Sequence, residues 1–195
     1  MSLGSGRYVV NVYASFNDTG DRVLNCIQGA ISTNAAGGFY QSASNPFWAP
    51  SSTQNSFSSD DSWVTIGTNP NGNGNAFGGT AGDSNFLNFN DSSGTTTYDF
   101  SVIEGSGNGA GWFNPAPTNN SYGLADTGKV LVAHLVIGNT GSSTWISWNV
   151  AAIIQLANGQ TVTQGAGPHV WYLPSPGALC LLGVAGMNPL RRRRT

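Results

Sequence analysis

The chain has 195 residues and a net charge of −2, with charged side chains at only 8% of positions, far below the ~25% usual in soluble proteins. Hydrophobic residues at 39%, with six Trp and nine Phe, exclude a disordered chain, and two cysteines exclude a disulfide framework. Outside one run of four arginines only Arg7, Arg22 and Lys129 are basic, against nine acidic residues, so a nucleic-acid partner is not expected.

Strand periodicity begins at once. Residues 7–16 (RYVVNVYASF) alternate Tyr8, Val10 and Val12 against Val9, Asn11 and Tyr13. Further strands are predicted at 22–31, 39–41, 62–68, 86–89 and 95–103, each bounded by Gly, Asn, Asp or Ser. Residues 69–81 (NPNGNGNAFGGTA) predict an exposed loop. Residues 129–137 (KVLVAHLVI) are apolar on both faces, which places them centrally in a covered sheet. A long strand at 144–156 should meet 160–164 through Asn158-Gly159, the dipeptide suited to a two-residue type I′ turn. A last strand at 167–173 leads into the tail. No helix is expected before that tail. The fold predicted is all-β: a single antiparallel two-sheet β-sandwich, jelly-roll or Ig-like, over residues 1–173, with a short C-terminal hydrophobic helix in a tail at 174–195.

Catalytic chemistry finds little to work with. There is no G-x-S-x-G elbow, no H-E-x-x-H and no phosphate-cradling glycine loop, and Glu104 is the only glutamate. His134 is expected to share a strand face with Val130, Val132 and Val136 as a buried, hydrogen-bonded core histidine. Cys26 reads as a buried hydrophobe. The asparagines at 69, 71, 73 and 75 lack the carboxylates that calcium requires. Asp18/Asp21 and Asp60/Asp61 read as turn-capping residues. No enzyme activity, metal or cofactor is expected. Trp48 and Trp112 stand in loop-like Phe47-Trp48 and Trp112-Phe113 pairs, expected to tuck into the ends of the core. The alternative is that these two rings stack on sugars, which would make the chain a carbohydrate-binding module displayed at the cell surface.

The tail differs from everything before it. Residues 177–190 carry one strongly polar side chain, Asn188, and Arg191, Arg192, Arg193 and Arg194 follow. As a helix those fourteen residues reach about 21 Å, short of the roughly 30 Å hydrocarbon core. Bilayer thinning and snorkelling arginines could close the gap. The arginines would stay cytoplasmic, leaving residues 1–173 on the outer side.

Pro174-Ser175-Pro176-Gly177, the small-residue apolar run and the terminal arginines together resemble a PEP-CTERM sorting signal, with Ser175 where that family has Glu. The resemblance implies recognition by an exosortase-like sorting enzyme during export, passage through the inner membrane with the C-terminus cytoplasmic, and release to the cell surface or extracellular matrix. It also implies association with exopolysaccharide. Residues 1–7 hold no apolar core of a secretory leader, so export predicts a leader that this sequence does not include.

Overall fold

A computed structural model describes residues 2–3, 6–41, 61–67, 81–82, 96–99, 110–114, 128–137, 143–165 and 167–173. All secondary structure among these residues is β-strand, arranged as two antiparallel sheets. The predicted strand at 86–89 and the C-terminal helix lie outside the described residues.

The smaller sheet has the order β1 (Ser2–Leu3), β2 (Arg7–Ser15), β8 (Lys129–Ile137), β4 (Trp63–Val64). β8 is central, as its two apolar faces predict, and every residue from Val132 to Ile137 is buried. The expected strand at 39–41 reduces to a single bridge from Phe39 to Ile137. Ser62 fastens this edge, its hydroxyl donating to the Val136 carbonyl and accepting from the Val136 N–H.

The larger sheet is built on two long strands, β3 (Arg22–Thr33) and β9 (Trp145–Gln155). One edge of β3 is shared by β6 (Thr97–Asp99) and β7 (Gly111–Phe113), with β5 (Ala81–Gly82) beyond β7. One edge of β9 is shared by β10 (Thr161–Gln164) and β11 (His169–Tyr172). β10 and β11 run in the same direction along the same edge of β9 and together make its return strand.

The turn between β9 and β10 differs from the sequence expectation. Gly159 has φ +86°, whereas Asn158 is not at positive φ, as a type I′ turn would require. The Gly159 N–H donates to the Leu156 carbonyl and the Leu156 N–H to the Gln160 carbonyl. This is a three-residue loop closed by a left-handed glycine. Asp21 holds its tip by accepting from the Ala157 N–H at 2.9 Å, while Asp18 accepts from the Gly20 N–H within its own turn.

Both sheets contribute to one hydrophobic cluster. Val12, Val64, Ala133, Leu135 and Ile137 come from the smaller sheet, and Val23, Cys26, Ile31, Trp112, Ile146, Trp148 and Val150 from the larger. A register shift between Val12 and Tyr13 leaves Val132 as an extra residue on β8. Val130 and Val132 therefore face the core before the bulge, and Ala133, Leu135 and Ile137 after it. His134 is turned to the outer face with Val136, not to the face of Val130 and Val132 that strict alternation assigns.

Candidate functional site: a cleft at the open flank of the two sheets

His134 is buried and stacked on Trp63, with ring centroids 4.7 Å apart and planes 9° from parallel. Its Nδ1 lies 2.7 Å from the side-chain Oδ1 of Asn11, an acceptor that pairs with the Nδ1–H tautomer of the ring. Register makes this row inevitable: Asn11, His134 and Trp63 are directly opposed across three strands. The row ties the His134 ring to Asn11 on one side and stacks it on Trp63 on the other.

Trp112 is on a strand, not in a loop. Its residue pairs with Cys26, the ring is 0% exposed, and its Nε1–H donates to the Thr65 carbonyl at 2.9 Å. The ring meets Trp148 edge-on, centroids 6.2 Å apart. Neither face of the indole is open to a sugar, which corrects the glycan-stacking alternative for this residue. The Gly111 position explains the strand: a Cβ there would come within 2.2 Å of the Cys26 carbonyl, so only glycine lets β7 lie against β3. Trp48, Asp60, Glu104 and the tail residues Pro174, Ser175, Pro176, Gly177, Arg191, Arg192, Arg193 and Arg194 lie outside the described residues. Among the described residues, no three His, Cys, Asp or Glu converge as a metal would need.

The structure brings together a different set of aromatics. A cleft of about 320 Å³ lies between β2 and the inner face of β9, β10 and β11. Val12, Ala14 and Phe16 form one wall; Trp148, Val150, Ala152 and Ile154 form the other, with Cys26 in the lining. Gln164, His169 and Trp171 stand on the return strand.

Pairing explains why these residues face inward. His169 opposes Trp148, Trp171 opposes Ile146, Gln164 opposes Ala152 and Val162 opposes Ile154, and directly opposed residues share a sheet face. All four thus lie on the core side of the larger sheet. Among the described residues the smaller sheet does not reach over them, since beyond β2 it has only β1, which pairs with Arg7 and Tyr8. Trp171 and Val162 are each 38% exposed on a face that elsewhere is buried. The His169 and Trp171 rings lie 6.3 Å apart and 14° from parallel.

Among the described residues no Asp, Glu, Lys or Arg lines the cleft, and the Lys129 ammonium lies 4.8 Å over the ring of Tyr13, one of its lining residues. Burial pushes the Cys26 thiol far above its ordinary range, so it contributes an uncharged S–H. The sequence hid this site. His169 and Trp171 show only the i, i+2 spacing of one strand face, and the register against β9 decides which face that is.

Comparison with protein-family models, curated proteins and solved structures finds no match to this chain.

Proposed function

We propose that the chain is an exported, non-enzymatic surface or extracellular-matrix protein, addressed by its PEP-CTERM-like tail and associated with exopolysaccharide. The observation that carries this reading is the succession Pro174-Ser175-Pro176-Gly177, an uncharged apolar run and Arg191–Arg194, beginning two residues after β11 ends at Tyr172. A β-domain solubilised by Gly, Ser, Thr and Asn, with few charges, is consistent with that destination. In this reading the arginines hold the C-terminus in the cytoplasm, an exosortase-like enzyme acts near the proline pair, and residues 1–173 are delivered outside. A jelly-roll or Ig-like sandwich and a short hydrophobic helix in the tail are the finer architecture proposed with it. The carbohydrate-module alternative loses Trp112, which is enclosed, and no observation now favours it over the surface role.

The test is cell fractionation of the chain, expressed behind a secretory leader in a bacterium that encodes an exosortase. The unaltered chain should reach the surface or medium and be open to external protease. A variant with Arg191, Arg192, Arg193 and Arg194 all changed to Gln should be retained in the cell envelope. Identical distribution of the two would overturn the reading.

A further inference from the structure

The return strand is an outer edge of the larger sheet, and the bonds on its inner side fix what its outer side offers. In an antiparallel ladder, alternate residues turn both N–H and C=O toward the same neighbour. The Leu156 N–H donates to the Gln160 carbonyl and the Leu173 N–H to the Thr144 carbonyl. Stepping by twos along the register from these pairs, Val162, Gln164, His169 and Trp171 bond to β9. Thr161, Thr163, Val170 and Tyr172 therefore aim their N–H and C=O groups away from the sheet. Among the described residues no strand pairs with that edge.

Proteins blunt an exposed edge with charge, above all with lysine. This edge has none, since no Asp, Glu, Lys or Arg occurs between Lys129 and Arg191. Every residue of β10 and β11 is exposed. Among the described residues, the large hydrophobic side chains left exposed are Tyr13 and four on this edge: Val162, Val170, Trp171 and Tyr172. Pro168, which has no N–H, falls between the two runs and interrupts neither.

The two runs complement each other. Laid antiparallel against a second copy about a two-fold axis, β10 of each chain meets β11 of the other. Thr161 then opposes Tyr172, Val162 opposes Trp171, Thr163 opposes Val170 and Gln164 opposes His169. In this register the outward groups of Thr161 and Thr163 face the outward groups of Tyr172 and Val170, so each such pair can exchange its N–H···O=C bonds. The core-side residues also stay on one side, so the sheet continues across the axis with its faces unmixed. Val162 with Trp171 and Thr161 with Tyr172 are β-branched–aromatic pairs, which antiparallel strands favour. Self-pairing of either run alone would leave the other without a partner.

We propose that the return strand is a homodimerisation edge, on which a second copy of this chain adds antiparallel to make one continuous sheet. A second copy is the occupant because one symmetric register completes both runs at once, an isologous interface in which each contact is made twice. This inference goes beyond the sorting reading and does not depend on it.

The test is sedimentation velocity of the purified full chain over a concentration series, in which a reversible dimer of twice 20.2 kDa is expected. Thr163→Pro removes an outward N–H and leaves the bonds to β9 in place, and should raise the dimer dissociation constant at least tenfold. Charge tests the register. Thr163→Lys with Val170→Lys sets like charges opposite each other across the axis, whereas Thr163→Glu with Val170→Lys sets opposite ones. The first double variant should dissociate at least tenfold more readily than the second. Within one chain the two positions oppose Ile153 and Ser147, roughly 20 Å apart at strand rise, so the difference acts between chains. Every variant keeps residues 174–195, so association through the tail would be the same in all. Far-UV circular dichroism and the Tm of each variant show that a loss is not unfolding, and the two charge variants, at exposed positions, carry the test if Thr163→Pro does not fold. A monomer at every soluble concentration, a dimer unmoved by folded edge variants, or equal dissociation constants for the two charge variants would overturn the proposal.

Discussion

Cys26 takes its chemistry from its position. It stands on β3 opposite Trp112 and Ala152, and full burial disfavours the thiolate. The sign of the resulting pH effect is fixed. The folded pKa is raised, so the contribution is whole below the unfolded thiol value near 8.5 and is lost as pH rises beyond it. Urea unfolding should therefore show about 2 kcal/mol more loss between pH 8 and pH 10 in the unaltered chain than in Cys26→Ala. Trp112 is the second residue with a decisive place, since its indole N–H bonds the backbone of the other sheet. Trp112→Phe removes the donor together with the five-membered ring of a fully buried indole, and should cost about 2–4 kcal/mol by the same measurement. The buried character of Cys26 and His134 was readable from their apolar neighbours. The face His134 occupies was not, because one extra residue, Val132, inverts alternation and a bulge leaves no mark in the residue types.

At the level of elements, the long strands were legible because each is a sustained apolar run bounded by turn residues. β7 was not. Gly111-Trp112-Phe113 is three residues flanked by Ala110 and Asn114, too short for periodicity, and its strand state rests on pairing with Asn25, Cys26 and Ile27. The turn at 157–159 was legible as a turn but not as a type, because Asn-Gly serves both and the strand register chooses between them. Gly159→Ala places a side chain at φ +86° and should destabilise by about 1–2 kcal/mol in thermal or urea unfolding. Asp21→Ala removes the acceptor for the Ala157 N–H and should cost about 1 kcal/mol. The return strand shows how an element can carry a site that no motif announces. β10 and β11 lie on one edge of β9, and that shared edge presents Gln164, His169 and Trp171 along one open side of the core.

Over the whole molecule, two sheets of unequal width share one core, and the wider one overhangs. The all-β class and the two antiparallel layers follow from strand-length periodicity and the density of turn residues. The overhang does not, because it depends on how few residues of β1 pair with β2. In the proposed sorting account the destination is set by the tail, whose residues the sequence displays openly: two prolines around Ser175, an uncharged run and four arginines. The apolar run is too short for a comfortable lasting anchor, which favours a signal that is processed. The most direct test is the intact mass of the protein recovered from the surface of an exosortase-bearing bacterium. The sorting account predicts a mature C-terminus near Pro176, with the apolar run and Arg191–Arg194 removed. Recovery of the surface protein with its chain unbroken to Thr195 would contradict it.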